Sequence, residues 1–390
     1  MEYQISIIVP VYNAEAYVLD ALGSLEQQTL GFSHLQVLLV NDHSTDGSAA
    51  LLAEWAAGKP NVTLLEMPGP APSGGAAWPR NYALPHVQAP YVMFLDNDDF
   101  FAPDGCAALY RAAERSGADL VMGYYRETAM DKTPLQEKQH WCGTLTQDTL
   151  FQLPQDMPGV MEVVGLFWCK LYRTAIIKEH QLQFPPLIHT EDTIFFLRYL
   201  RCCKTALYTD QLVYNFRLRD TSVSHTMGVA YLRTTTEGYD YIFDLLVDQP
   251  ACLLQVMDSV ARHFLAEIFL TDALTDAERR ALLPNWTRIA RYSVEHDLMP
   301  HDEYALPRLI HLVADEQYDA AYEVGKCYEE YYNAVITRDK HFLDSEKIWN
   351  SVADAAKAEA AAARAELEAV RASRTYRFAQ RLSRLLHPGK

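Results

Sequence analysis

The chain has 390 residues, 49% of them hydrophobic, enough for a folded core and about two or three domains, which excludes disordered, collagen-like and mini-protein classes. It carries 34 Lys and Arg against 51 Asp and Glu, a formal charge of -17. Phosphate affinity comes largely from clustered cations, so a general nucleic-acid binder is excluded and any anionic ligand must be met locally.

Residues 5–11 form a continuous apolar, β-branched run, the pattern of a strand buried on both faces of a parallel sheet. A helix near 15–28, a strand over 36–40, a helix over 48–57 and a strand over 62–66 continue a βαβαβ pattern. Residues 68–75, rich in Pro and Gly, read as a turn-rich loop leading to Arg80. A strand over 91–95 stops at Asp96-Asn97-Asp98-Asp99, and Pro103 suits the first turn of a helix running to Ser116. After a strand over 120–123, the irregular stretch 130–159 reads as an insertion or loop-rich lid. Structure resumes at 163–172; Thr190 is placed to cap a helix running from His189 through Arg201, and an alternating strand covers 212–218.

Beyond residue 229, apolar periodicity predicts helices over 253–269, 275–283 and 319–336, a second helical domain and not a repeat array. Residues 353–372, rich in Ala, Glu and Arg, predict a long exposed helix or coiled coil. Arg371, Arg374, Arg377, Arg381 and Arg384 then form a stripe beside Phe378, Leu382, Leu385 and Leu386. This basic amphipathic tail suits either peripheral contact with an anionic membrane or oligomerisation. The expected domains are therefore 1–228, 229–345 and 346–390.

Seven cysteines form no CxxC pair and include adjacent Cys202 and Cys203, which points to a reducing compartment. The first basic residue is Lys59, and no apolar run reaches about 18 residues, so neither a secretory signal nor a spanning helix is expected.

Ligands of open α/β sheets sit outside the carboxyl ends of the strands, and there this chain is unusually polar. Asp96-Asn97-Asp98 alone reads as a helix cap or as a carboxylate pair for one hard cation, which would offset charge on a departing diphosphate. Its company decides between them. Ile7-Ile8-Val9-Pro10-Val11-Tyr12-Asn13, then Asn41-Asp42-His43-Ser44-Thr45-Asp46-Gly47-Ser48, then Arg80-Asn81, then Phe94-Leu95-Asp96-Asn97-Asp98-Asp99 resembles the family 2 glycosyltransferases with a GT-A fold in order and spacing. Trp168-Cys169-Lys170-Leu171-Tyr172-Arg173, Glu191-Asp192-Thr193-Ile194-Phe195-Phe196 and Tyr214-Asn215-Phe216-Arg217-Leu218-Arg219-Asp220-Thr221-Ser222 look like the later blocks of the bacterial cell-envelope branch. The resemblance covers residues 3–226.

The resemblance implies an α/β GT-A sheet, mostly parallel and flanked by helices, and an inverting transfer from a nucleotide sugar, a UDP-sugar foremost, with Mn or Mg as cofactor. The acceptor it implies is a cell-envelope glycan, a polyol phosphate or a lipid-linked sugar, handled on the cytoplasmic side, with peripheral contact at the inner membrane face. Pro10, Tyr12 and Asn13 would border the nucleotide, Tyr12 near the base, while Asp42 accepts a hydrogen bond from a uracil-like edge. Arg80 would meet the nucleotide or its phosphates, with Asn97 beside it. Asp96 and Asp98 would serve ribose, diphosphate and metal, Asp98 ligating directly, and His225 could add a ligand. Asp192 would be the base that takes the acceptor proton, with Glu191 beside it. Lys170, Arg217 and Arg219 are candidate cations for pyrophosphate or an anionic acceptor, and Trp168 and Trp78 for sugar stacking.

Two departures concern nucleotide fit: His43 and Ala83 stand where the family usually has Gly. A nucleotidyltransferase of related fold is the alternative enzyme class, weakened by the lack of a Gly- and Arg-rich phosphate loop near the amino terminus. A non-catalytic scaffold built on a decayed transferase is a third, against which stand intact Asp96, Asp98 and Asp192.

Overall fold

The computed structural model describes residues 2–135, 145, 147–163, 167–218, 228–298 and 305–339. The chain divides into two compact units, Met1–Gln255 and Val256–Lys390.

The first unit is built on one sheet. Its strands are β1 (Ile5–Val11), β2 (Leu35–Asn41), β3 (Val62–Glu66), β4 (Tyr91–Phe94), β5 (Phe100–Phe101), β6 (Leu120–Thr128), β7 (Thr149–Gln152), β8 (Lys170–Arg173) and β9 (Thr205–Arg217). Their order is β3-β2-β1-β4-β8-β6-β9-β5, with β7 against β9. β1 and β2 are buried along their whole length, as their mainly apolar sequences require, and their buried polar side chains Ser6 and Gln36 hydrogen-bond to each other. β1 pairs in parallel with β2 on one side and β4 on the other, which puts the topological switch point between β1 and β4. The expected parallel core thus occupies one half of the sheet. The other half is mixed, because β8 runs antiparallel to both β4 and β6.

The helices of this unit are α1 (Val18–Glu26), α2 (Ser48–Ala56), α3 (Ala77–Ala83), α4 (Gly105–Ser116), α5 (Met157–Val163), α6 (Thr174–Glu179), α7 (Glu191–Cys202) and α8 (Val229–Leu246), followed by the start of α9 (Pro250–Leu270). Asp104 occupies the N-cap position of α4, so Pro103 precedes the helix instead of opening its first turn. Part of the irregular 130–159 stretch joins the sheet as β7, where hydrogen bonding to β9 outweighs a weak local pattern. β6 and β9 run well beyond the strands expected at 120–123 and 212–218 because they pair with each other in parallel.

The two compact units meet at 255/256, so α8 falls within the first of them. α8 belongs with the sheet because it packs on α7: the Arg198 guanidinium lies 4.8 Å over the Tyr241 ring, and Arg201 makes a two-pronged ion pair with Asp248 at 2.7 and 2.8 Å. Under the sheet, Phe94, Phe167, Tyr172, Phe184 and Phe195 form an aromatic cluster in which Phe184 and Phe195 stack at 4.0 Å.

The second unit, described by itself, is helical, with α10 (Asp276–Leu282), α11 (Thr287–Glu295), α12 (Ala305–Ala314) and α13 (Tyr318–Asp339). Thr275 and Glu278 form a reciprocal capping box at the start of α10. Buried Arg279 pairs with Glu329 of α13 at 2.8 Å. Among the described residues no helix is long and apolar enough to cross a membrane. The predicted tail over 346–390, Cys142, Arg219 and His225 lie outside the described residues. The six described cysteines are unbridged.

Candidate active site

The carboxyl ends of β1, β2 and β4 open into a cavity of about 610 Å³, whose lining includes Pro10, Tyr12, Asn13, Asp42, Arg80, Asp96, Asn97, Asp98, Asp99, Phe167, Trp168, His189, Glu191 and Asp192. Six carboxylates and one guanidinium thus face the same space. Tyr12 is 48% exposed, as a side chain offered to a ligand rather than to the core would be.

Hydrogen bonds between neighbouring turns fix the strand ends. Asn13, at φ 47°, accepts the Thr45 N–H at 2.8 Å through its side chain and so braces the first turn against the second. Asp46 accepts the N–H groups of Ser48 at 3.0 Å and Glu15 at 3.1 Å, holding the start of α2. His43 adopts φ 59°, a left-handed conformation that explains why glycine suits this position, and its Nε2 lies 2.8 Å from the Gly69 carbonyl. Asp42 is buried and already engaged: the Ser73 N–H donates to its two oxygens at 3.0 and 3.1 Å, and the Ser73 hydroxyl adds a third bond. In this state the 68–75 loop occupies the acceptor that the sequence assigned to a base edge.

The Asp96–Asp99 turn is pinned from both sides. Asn97 Nδ2 donates to the Pro10 carbonyl at 3.0 Å across the switch point. The Tyr214 hydroxyl accepts the Asp96 N–H at 3.1 Å and donates to Asp99 at 2.9 Å, while Asp99 also accepts the Arg217 N–H at 2.8 Å. Asp99 is 1% exposed; burial, with Asp98 and Asp96 close by, raises its pKa well above the ordinary carboxylate range. It anchors the turn, leaving Asp96 and Asp98 as the outward pair. Tyr214 was not legible as a functional residue, since alternation along β9 shows only that it points inward.

Arg80 of α3 is 3% exposed and donates to Asp96 at 2.7 Å and to Glu191 at 3.0 Å, over the Phe167 ring at 4.4 Å. Burial opposes its charge, but Asp96 and Glu191 raise its pKa on balance. Its cation is shared by two carboxylates, which it ties together across the cavity that a nucleotide would enter. Burial and the neighbouring Asp192 push the Glu191 pKa up to about 8. Asp192, in the first turn of α7, accepts the Thr193 N–H at 2.7 Å, and burial raises its pKa against the pull of Arg80. Thr190 sits at the N-cap position, but at φ 65° its hydroxyl turns back to the His189 carbonyl and makes no cap bond. His189 was not singled out from sequence; burial lowers its pKa to about 4 and keeps the imidazole neutral.

Two predicted cations are not in the cavity lining. Lys170 is fully buried, its ammonium 4.6 Å over the Phe196 ring and its pKa lowered to about 8 by burial. Arg217 is buried at the far end of β9 and paired with Asp20 at 2.7 Å. Trp168 lines the cavity but stacks on Tyr214 at 4.2 Å, and Trp78 is not part of the lining.

Among the described residues no group of three or more His, Cys, Asp and Glu is arranged to hold a metal alone. Asp96 and Asp98 do fit a divalent ion of the kind held by one or two carboxylates and completed by substrate phosphates and water. Asp96 reaches Arg80 through one oxygen only, which leaves the other for such an ion.

A parallel α/β half-sheet with an acidic turn at its switch point, closed by a helix that brings a carboxylate to the same cavity, puts these groups where open α/β sheets bind ligands. Residues 6–180, a little under half of the chain, match the model of glycosyl transferase family 2. It is 28% identical over 235 residues to the poly(ribitol-phosphate) beta-glucosyltransferase of Bacillus spizizenii, covering 59% of this chain and 34% of that protein. It is 26% identical over 224 residues to the poly(ribitol-phosphate) beta-N-acetylglucosaminyltransferase TarS of Staphylococcus aureus, covering 54% of this chain and 35% of that one. Each match spans about a third of the relative's own length. The crystal structure of S. aureus TarS 1–349 with UDP-GlcNAc shares the fold at a TM-score of 0.64 and 20% identity, over 84% of this chain and 92% of that chain.

Proposed function

We propose that the chain transfers a hexosyl or N-acetylhexosaminyl group from a UDP-sugar, with inversion, to a hydroxyl of a cell-envelope polyol phosphate, glycan or lipid-linked sugar. The observation that carries this reading is that Asp192 and the Asp96–Asp98 turn, nearly a hundred residues apart, line one cavity. The poly(ribitol-phosphate) glycosyltransferases among the relatives, and a fold neighbour holding UDP-GlcNAc, support the donor and acceptor classes.

In this reading Tyr12 and Asp42 bind the base, with Ser73 yielding its place on Asp42. Asp96 and Asp98 hold a divalent ion, which when bound offsets charge on the diphosphate. Asp192 accepts the proton of the acceptor hydroxyl as that oxygen bonds to the anomeric carbon. The bond from that carbon to the β-phosphate oxygen breaks and UDP leaves with the electron pair. A single displacement on the face opposite the leaving group inverts the centre. The raised pKa of Asp192 suits a base, because a carboxylate near its ordinary value accepts a proton poorly. Residues 346–390, with their basic stripe, are proposed to dock at the inner membrane face or to mediate self-association.

The test is Asp192→Asn, assayed with UDP-glucose and UDP-GlcNAc under Mg, Mn and EDTA. UDP binding is expected to persist while turnover drops by about 10²–10⁴. Turnover at the native rate would remove Asp192 from the mechanism.

A further inference from the structure

The carboxylate assigned as base is placed by a helix that the sequence puts outside the catalytic domain. Thr190, two residues before Asp192, is held at φ 65°, a conformation unfavourable for a β-branched residue unless its surroundings impose it. Those surroundings are α8. At Gly238 a side chain would collide with Thr190: a Cβ there would fall on the Thr190 hydroxyl and lie 2.8 Å from the Thr190 Cβ. Glycine in a helix interior lowers helix stability, and this close approach supplies the reason for it. Two helical turns earlier, the Tyr231 ring meets the His189 ring edge-to-face at 4.0 Å between centroids. Gly238 and Tyr231 lie seven residues apart, two turns along one face of α8, so one helix face grips both residues that lead into α7. Thr190 in turn starts α7 by accepting the Ile194 N–H at 2.9 Å through its carbonyl.

We propose that Gly238 and Tyr231 are positioning residues for Asp192, acting through Thr190 and His189, so that α8 is part of the catalytic apparatus of this chain. The inference rests on the reading of Asp192 as the base. Gly238 sets how closely α8 approaches, and therefore where the first turn of α7 presents its carboxylate. Tyr231 fixes the imidazole that precedes it.

The experiment measures UDP release from UDP-glucose and UDP-GlcNAc, UDP affinity by calorimetry, and amide exchange over residues 190–194. Asp192→Asn is run first. If it turns over like the native chain, the base reading fails, and this inference with it. If it loses turnover, the α8 variants decide the inference alone. Gly238→Ala is expected to lower kcat about 100-fold, the scale of a misplacement near 1 Å, with UDP affinity within about twofold and faster exchange over 190–194. Gly238→Ala with Thr190→Gly removes the side chain that the new methyl meets and suits the positive φ. It is expected to regain at least about tenfold in kcat and to restore slow exchange. Native kcat and exchange in Gly238→Ala, a parallel loss of UDP affinity, or no rescue in the double variant overturns the proposal. Should Gly238→Ala fail to fold, Tyr231→Leu carries the test: about a tenfold loss of kcat at unchanged UDP affinity supports it, and unchanged kcat overturns it.

Discussion

On the wall formed by β1, β2 and β4, the functional side chains stand on turns that directly follow buried strands and are tied by nearby backbone groups, as Asn97 is to Pro10 and Asn13 to Thr45. On the wall formed by α7, Glu191 and Asp192 follow a left-handed Thr190 and rely on α3 through Arg80 and on α8 through Gly238. Both walls join residues far apart in sequence, but the first is held by hydrogen bonds between neighbouring strand ends of one sheet and the second by side chains of separate helices.

Arg80 is where the two walls meet, and removing it breaks the comparison most severely. Arg80→Met leaves Asp96 and Glu191 facing each other without their shared cation, and a loss of about 3–5 kcal/mol in denaturant-unfolding stability is expected. Asp98→Asn confines the damage to the donor wall. Turnover is expected to fall on the order of 100- to 1,000-fold with little change in unfolding midpoint, and EDTA should abolish native turnover while barely affecting the residue left in the variant. Equal sensitivity to EDTA in both proteins would move the metal elsewhere.

Tyr214→Phe tests how the acidic turn is held. It removes the hydroxyl that joins the Asp96 amide to Asp99, leaving buried polar groups short of a partner, and about 1–3 kcal/mol of stability should be lost together with donor affinity. A further expected effect is a pH slope on the α7 wall. The folded-state pKa of Glu191 is raised to about 8, above its ordinary value, so the folded chain holds a proton that the unfolded chain has released across that window. Stability therefore declines as pH rises from about 5 to 8. Glu191→Gln keeps an acceptor for Arg80 but does not titrate; melting temperatures at pH 5 and pH 8 should differ less than in the native chain. An unchanged difference would assign the slope to Asp99 or Asp192.

The residues that sequence reasoning located best were those whose position follows from a strand end. Asp42, Asp96 and Asp98 stand within three residues of the end of an apolar run, and all three line the cavity. Lys170 and Arg217 read as candidate cations for pyrophosphate or an anionic acceptor; both are buried, and Arg217 pairs with Asp20, almost two hundred residues away. Ser73 on Asp42 and Tyr214 under Asp99 were invisible for the same reason: no local pattern announces a partner brought by the fold.

What the sequence determined by itself is the periodic part: the buried βαβαβ half-sheet, the polar turns that close its strands, the acidic pair at the switch point and the helix that carries Asp192. These follow from alternation, apolar runs and turn chemistry, all of which act over a few residues. The tertiary structure alone decided which charges are spent on one another, that Arg80 joins the two walls, and that α8 stands with the sheet. Burial and ion pairing join residues up to two hundred positions apart, and their energies depend on distances that only the packed chain sets.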